Sequence, residues 1–240
     1  KTVEMVRRLV EQDEVLLLMN TLGTPSNTAI HRYVNSKKVP HLFLATGASK
    51  WNDPKRFPWT MGFNTNYHSE GMLYAKDILK NKPNAKIGVL VQNDDYGKDY
   101  LNGFKEGLGD KAKTMIISEV TYEVTDPTID SQIVTLKGSG ADTFFNITTP
   151  KFAAQAIRKV DDIGWKPTHY LNQVSASIGS VLKPAGVEKA VGVISMQYIK
   201  DPTEKRWEND PTMKEFMAFM KKYVPDASPE DANTTYGYAV

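Results

Sequence analysis

Residues 86–91 read as one continuous apolar strand, Ile87-Gly88-Val89-Leu90-Val91 following Lys86, between Lys82-Pro83-Asn84 and Asn93-Asp94-Asp95. A strand that is apolar at every position has no face for water, so it belongs in a parallel sheet covered on both sides. Parallel strands need long crossovers, and the flanking sequence supplies helices to make them. Tyr100, Leu101, Phe104 and Leu108 share one helical face ahead of Gly109, and Met72, Ala75, Ile78 and Leu79 share another within residues 67–79. The chain therefore folds as α/β layers.

The same alternation extends in both directions. Val3, Val6, Leu9 and Val10 stripe a helix over residues 1–10, and a short apolar strand follows at 14–19. A turn at 20–25, a helix at 26–36 and a strand at 39–45 come next, then a polar loop at 46–58. Beyond the central strand the expected order is strand 113–120, helix 129–137, strand 142–147 and a helix at 152–163 stopped by Gly164. Shorter strands are expected at 168–171 and 191–196, with a small helix at 178–182 between them. Met213, Phe216, Met217 and Met220 face one way on a helix at 212–223. Residues 65–71 and 192–198 suit crossings between two lobes. The expected division is residues 1–64 in the first lobe, 65–194 in the second, and 195–240 returning to the first. Both termini fall within helix-like sequence, so the chain reads as an incomplete piece of a longer protein.

Composition removes several function classes. Thirty Lys+Arg against 28 Asp+Glu leave a formal charge of +2, too small to draw the chain to nucleic acid. The run at residues 15–19 holds five apolar residues, far short of a membrane span. Without cysteine there is no disulfide, no thiolate nucleophile and no cysteine-ligated metal. The histidines at 31, 41, 68 and 169 lack metal-motif spacing; His31 lies in a helix body and His169 in or beside a strand, both reading as structural or surface residues. Asp94-Asp95 lacks the further oxygens a hard cation needs and reads as a helix start. There is no nucleophile elbow and no glycine-rich nucleotide loop, so no catalytic residue, cofactor or metal is expected.

Open α/β sheets bind ligands beyond the carboxyl ends of their strands, where loops converge. Those positions carry hydroxyls, amides and small residues: Asn20-Thr21 and Gly23-Thr24, Thr46-Gly47-Ala48-Ser49, Gln92 through Gly97 with Tyr96, Thr148-Thr149-Pro150, and Asn172-Gln173-Val174-Ser175. Such groups bind a carboxylate through hydroxyls and helix-start amides. The same residues are also ordinary helix caps. Gly47 permits a tight bend, and Trp51 either walls a ligand or packs under its own loop.

The order of these segments resembles the leucine/isoleucine/valine-binding branch of the periplasmic solute-binding proteins of ABC importers. The likeness rests on the small-residue loop at residues 21–25, Val39-Pro-His-Leu-Phe-Leu-Ala-Thr-Gly-Ala-Ser49, and residues 63–71. It continues through Ile87-Gly-Val-Leu-Val-Gln-Asn-Asp-Asp-Tyr-Gly97, Gly103-Phe104, Gly140-Ala-Asp-Thr-Phe-Phe145 and residues 186–192. The resemblance implies a two-lobed type I fold, parallel sheets flanked by helices, that closes on a small solute. It also implies a monomer that hands the solute to ABC permease subunits, in the periplasm or lipid-anchored outside the cytoplasm. It implies ligand contacts at Asn20, Thr21, Leu22, Ala48 and Ser49 in one lobe, and at Tyr96, Ile147, Thr148 and Gln173 in the other; Thr46 and Trp51 join them from the strand-end reading. Where amino-acid binders commonly carry an acid for the ligand ammonium, this chain has Gln173. A buried ammonium left unpaired is costly. The expected solute is therefore a carboxylate without an amino group, aromatic or otherwise apolar. Two other readings share the layers: a ligand-sensing domain of a receptor or regulator, and an α/β enzyme using Asp94 or Asp95.

Overall fold

Two all-parallel sheets organise the computed structural model, which describes residues Lys1–Val240. Each belongs to its own unit: one holds Lys1–Asn81, Asn93–Gly109 and Val240, the other Lys82–Gln92 and Asp110–Ala239.

The first unit runs α1 (Thr2–Glu11), β1 (Leu18–Met19), α2 (Thr24–Ser36), β2 (His41–Leu44), a 3-10 turn (Ser49–Trp51), β3 (Thr60–Gly62), α3 (Tyr67–Asn81) and, after an excursion into the second unit, α4 (Asp95–Leu108). Its strands lie in the order β1-β2-β3. The expected strand at 14–19 shrinks to two residues between left-handed Glu14 (φ 48°) and Asn20 (φ 53°). β3 is a strand the sequence reading lacks, because three residues after Pro58-Trp59 are too few to show a period. Val6, Leu18, Ile30 and Val34 form the core between α1, α2 and β1. Helices α3 and α4 approach closely because Gly103 has no side chain: a Cβ there would lie 1.9 Å from the His68 carbonyl oxygen. Between them Tyr67 stacks on Tyr100 at 4.6 Å, and Tyr96 sits edge-on to both rings.

The second unit contains β4 (Ile87–Gln92), α5 (Ala112–Met115), β5 (Ile116–Tyr122), α6 (Asp130–Gly138), β6 (Thr143–Ile147), α7 (Pro150–Asp162), β7 (Thr168–Leu171), α8 (Lys183–Ala185), α9 (Pro211–Tyr223) and α10 (Ala232–Ala239). Strand order is β5-β4-β6-β7. Every residue of β4 and β6 is buried, as the apolar run at 86–91 requires, whereas β5 alternates like an edge strand. Leu90, Ile133, Leu136, Phe144, Phe152 and Trp165 are among the residues that fill the core under α6 and α7. Two expectations need correction. The strand expected at 113–120 starts at Ile116, because Ala112–Met115 closes a helical turn first. Residues 191–196 form no strand; Gly192 is left-handed (φ 89°), and only Ile194 bridges to Tyr170.

Candidate functional site

In the first unit the strand-end residues are tied into two layers. The lower layer is buried. Thr46 Oγ1 lies 2.6 Å from Thr24 Oγ1 and accepts the Trp51 indole N–H at 3.2 Å. Trp51 is 2% exposed and stands edge-on to His31 at 5.0 Å, so it packs under its own loop. Thr21 Oγ1 donates to Asn27 Oδ1 (2.5 Å) and sits 2.6 Å from His41 Nε2, which makes that nitrogen the protonated one. Asn27 in turn donates to the carbonyls of Thr21 and Gly23, fixing the loop onto α2. Gly47 is required here, since a Cβ would meet the Thr65 carbonyl at 2.1 Å and the Tyr67 ring at 2.8 Å. Tyr67 also donates its backbone N–H to Gly47 O at 2.8 Å, and burial pushes its phenol up to about 12.

The upper layer faces solvent. Ala48 is buried, but Ser49 is exposed, as is Leu22; Asn20 is half-buried in a left-handed conformation that asparagine tolerates. Ser49 donates both its N–H and its Oγ–H to a single carboxylate, that of Asp99 on α4, at 2.8 and 2.6 Å. One turn earlier on α4, Asp95 accepts from Lys50 Nζ at 2.6 Å, a bond that holds its carboxyl below the usual carboxylate range. Asp94 caps α4 by accepting from the N–H groups of Tyr96 and Gly97. Tyr96 itself is 4% exposed, against Tyr67 and Tyr100.

In the second unit Ile147 and Thr148 are fully buried. Thr148 Oγ1 donates to Asn146 Oδ1 at 2.7 Å, and its carbonyl accepts from Asn172 Nδ2 (2.8 Å) and Ser175 Oγ (2.5 Å). Asn146 Nδ2 meets His169 Nε2 at 3.2 Å, so that nitrogen accepts; burial lowers the His169 pKa to about 3. Beside this network Tyr122 donates to Gln92 Oε1 at 2.7 Å and accepts the Thr149 N–H at 3.0 Å. These bonds lock the ends of β4, β6 and β7 and leave Gln173 half-buried at the rim, where its Nε2 donates to Gln197 Oε1 at 3.0 Å.

The fold thus brings Thr46, Ala48, Ser49 and Trp51 together on one loop, and Thr148 together with the start of the Gln173 turn. Sequence reasoning missed Asp99, Asn27 and Tyr122. Asp99 is 50 residues from Ser49, so no local spacing links them; its only sequence signal is that it follows Asp95 by one helical turn.

A family model described as "Periplasmic binding protein" matches residues 1–240. Similar solved structures include a possible leucine/isoleucine/valine-binding protein from Rhodopirellula baltica SH 1, with 19% identity and a TM-score of 0.80 over 100% of this chain and 63% of that one. A substrate-binding periplasmic protein from Ralstonia solanacearum matches with 23% identity and a TM-score of 0.81, over 99% of this chain and 65% of that one. A branched chain amino acid ABC transporter protein from Thermus thermophilus with bound valine has 13% identity and a TM-score of 0.79, over 97% and 58%. At these identities the likeness is one of fold. The chain spans less than two-thirds of the length of each.

Proposed function

The chain belongs to the periplasmic binding protein family, and on that premise we propose that it captures a small carboxylate-bearing solute for delivery to an ABC permease outside the cytoplasm, without turning it over. The observation that carries this reading is the bidentate grip of Ser49 on a carboxylate at 2.8 and 2.6 Å. Backbone and hydroxyl donors at that spacing suit any carboxylate, free or side-chain, and charge-assisted bonds of this kind are about twice as strong as neutral ones. Gln173, at the end of β7 beside Gln197, is the second residue assigned to the solute.

An amide at position 173 also argues for the class of solute. Its oxygen can accept a hydrogen bond from an ammonium but cannot neutralise it, so a zwitterion would carry an unpaired charge into the site. The solute is accordingly a carboxylate with an aromatic or aliphatic body and no α-amino group. Calorimetry on the full-length protein with phenylacetate, benzoate, hexanoate, phenylalanine, leucine and valine tests this directly. The expected result is that at least one of the three non-amino acids binds about tenfold or more tighter than any amino acid, in line with the loss of a charge-assisted bond. Tighter binding of leucine or valine would overturn the assignment.

A further inference from the structure

Asp99 has no task in the solute-binding reading, yet both of its carboxylate oxygens are engaged by the residue central to it. It does not cap α4, since Asp94 does that. Nor is it neutralised by Lys50, beside Ser49, whose Nζ bonds Asp95. Its charge is met by the Ser49 N–H and hydroxyl. A second carboxylate cannot use those two donors at the same time, because each has one hydrogen and Asp99 already takes both.

We propose that Asp99 is a specificity-determining residue: its carboxylate occupies the Ser49 donors, and a solute carboxylate binds only by displacing it. This rests on the reading of Ser49 as a solute contact. Displacement is feasible because Asp99 is half-buried on a helix surface and can turn to water. The apparent affinity for a carboxylate is then lowered by the fraction of molecules whose donors are already taken. A neutral amide, which can donate its own N–H to the Asp99 carboxylate, need not displace it. The internal contact therefore sets a threshold that weak anionic ligands do not pass.

The test uses benzoate and its neutral counterpart benzamide, titrated calorimetrically into the full-length wild type, Asp99→Asn, Asp99→Ala and Ser49→Ala. Benzoate should bind about tenfold tighter to Asp99→Ala than to wild type, with Asp99→Asn between them, while benzamide changes less than about twofold. In the solute-free protein the Ser49 amide hydrogen should exchange faster in Asp99→Ala. Equal benzoate affinity in wild type and Asp99→Ala, with weakened binding in Ser49→Ala, overturns the proposal and leaves the solute-binding reading standing. Unchanged binding in Ser49→Ala strikes that reading and the proposal with it. Failure of benzoate to bind Asp99→Ala overturns the proposal too, since the donors would be free and still unused.

Discussion

Replacing Gly103 with alanine destabilises the first unit by about 3 kcal/mol or more, the upper end of what overpacking typically produces. The added methyl would lie 1.9 Å from the His68 carbonyl oxygen and 2.6 Å from its carbon. Both are backbone atoms of α3, so no side-chain rotation relieves the clash; α3 and α4 must separate. Separation would unstack Tyr67 from Tyr100, now 4.6 Å apart, and strain the hydrogen bond at 2.6 Å from Tyr100 to buried Glu70. Gly138 provides the contrast. It ends α6, with nothing within 4 Å of an added Cβ, so Gly138→Ala should be neutral or stabilising by up to about 1 kcal/mol. Urea denaturation of the two variants reads the difference, and equal midpoints would contradict the close-packing account.

Acid should weaken the fold well before its carboxylates titrate. His31, His41 and His169 are 5%, 0% and 6% exposed, and burial lowers their pKa values to about 4, about 4 and about 3. Unfolded histidine titrates near 6.5, so between that pH and about 4 the unfolded chain binds protons that the native chain refuses. Stability is therefore full above pH 6.5 and falls as the pH drops toward the native values. Each pH unit in that window costs up to about 1.4 kcal/mol per histidine and about half that near 6.5, where the unfolded ring is half protonated, so all three together cost at most about 5 kcal/mol between pH 6.5 and 5. His31 Nε2 and His41 Nδ1 are buried without hydrogen-bond partners, consistent with neutral rings. His31→Phe keeps the packing against Phe57, 3.9 Å away, and removes one titrating group. Its pH slope in urea denaturation should be about one-third shallower than wild type. A wild-type stability that stays flat from pH 6.5 to 5 would refute the assignment.

Much of this architecture was legible because burial leaves a pattern. The apolar run at 86–91 became the fully buried β4, and the residues expected at 168–171 became β7. Misreadings arose where local rules yielded to backbone geometry. Gly192 turned a strand-like stretch aside, and β3 was too short to carry a period. Site residues were harder to read, since a strand-end hydroxyl looks the same whether it binds a ligand or its neighbours. Thr46 and Trp51 are spent on each other beneath the loop, while Ser49, two positions before Trp51, faces outward. What separates them is a three-dimensional pairing across 50 residues, Ser49 with Asp99, that no periodicity encodes.

Ser49 and Gln173 as solute contacts carry the proposed function. Calorimetry of the tightest-binding carboxylate of the solute panel, on full-length wild type, Ser49→Ala and Gln173→Ala, tests it most directly. Each substitution should weaken binding about tenfold, the loss of one hydrogen bond to a charged group. An affinity that matches wild type in either variant would contradict that residue's role.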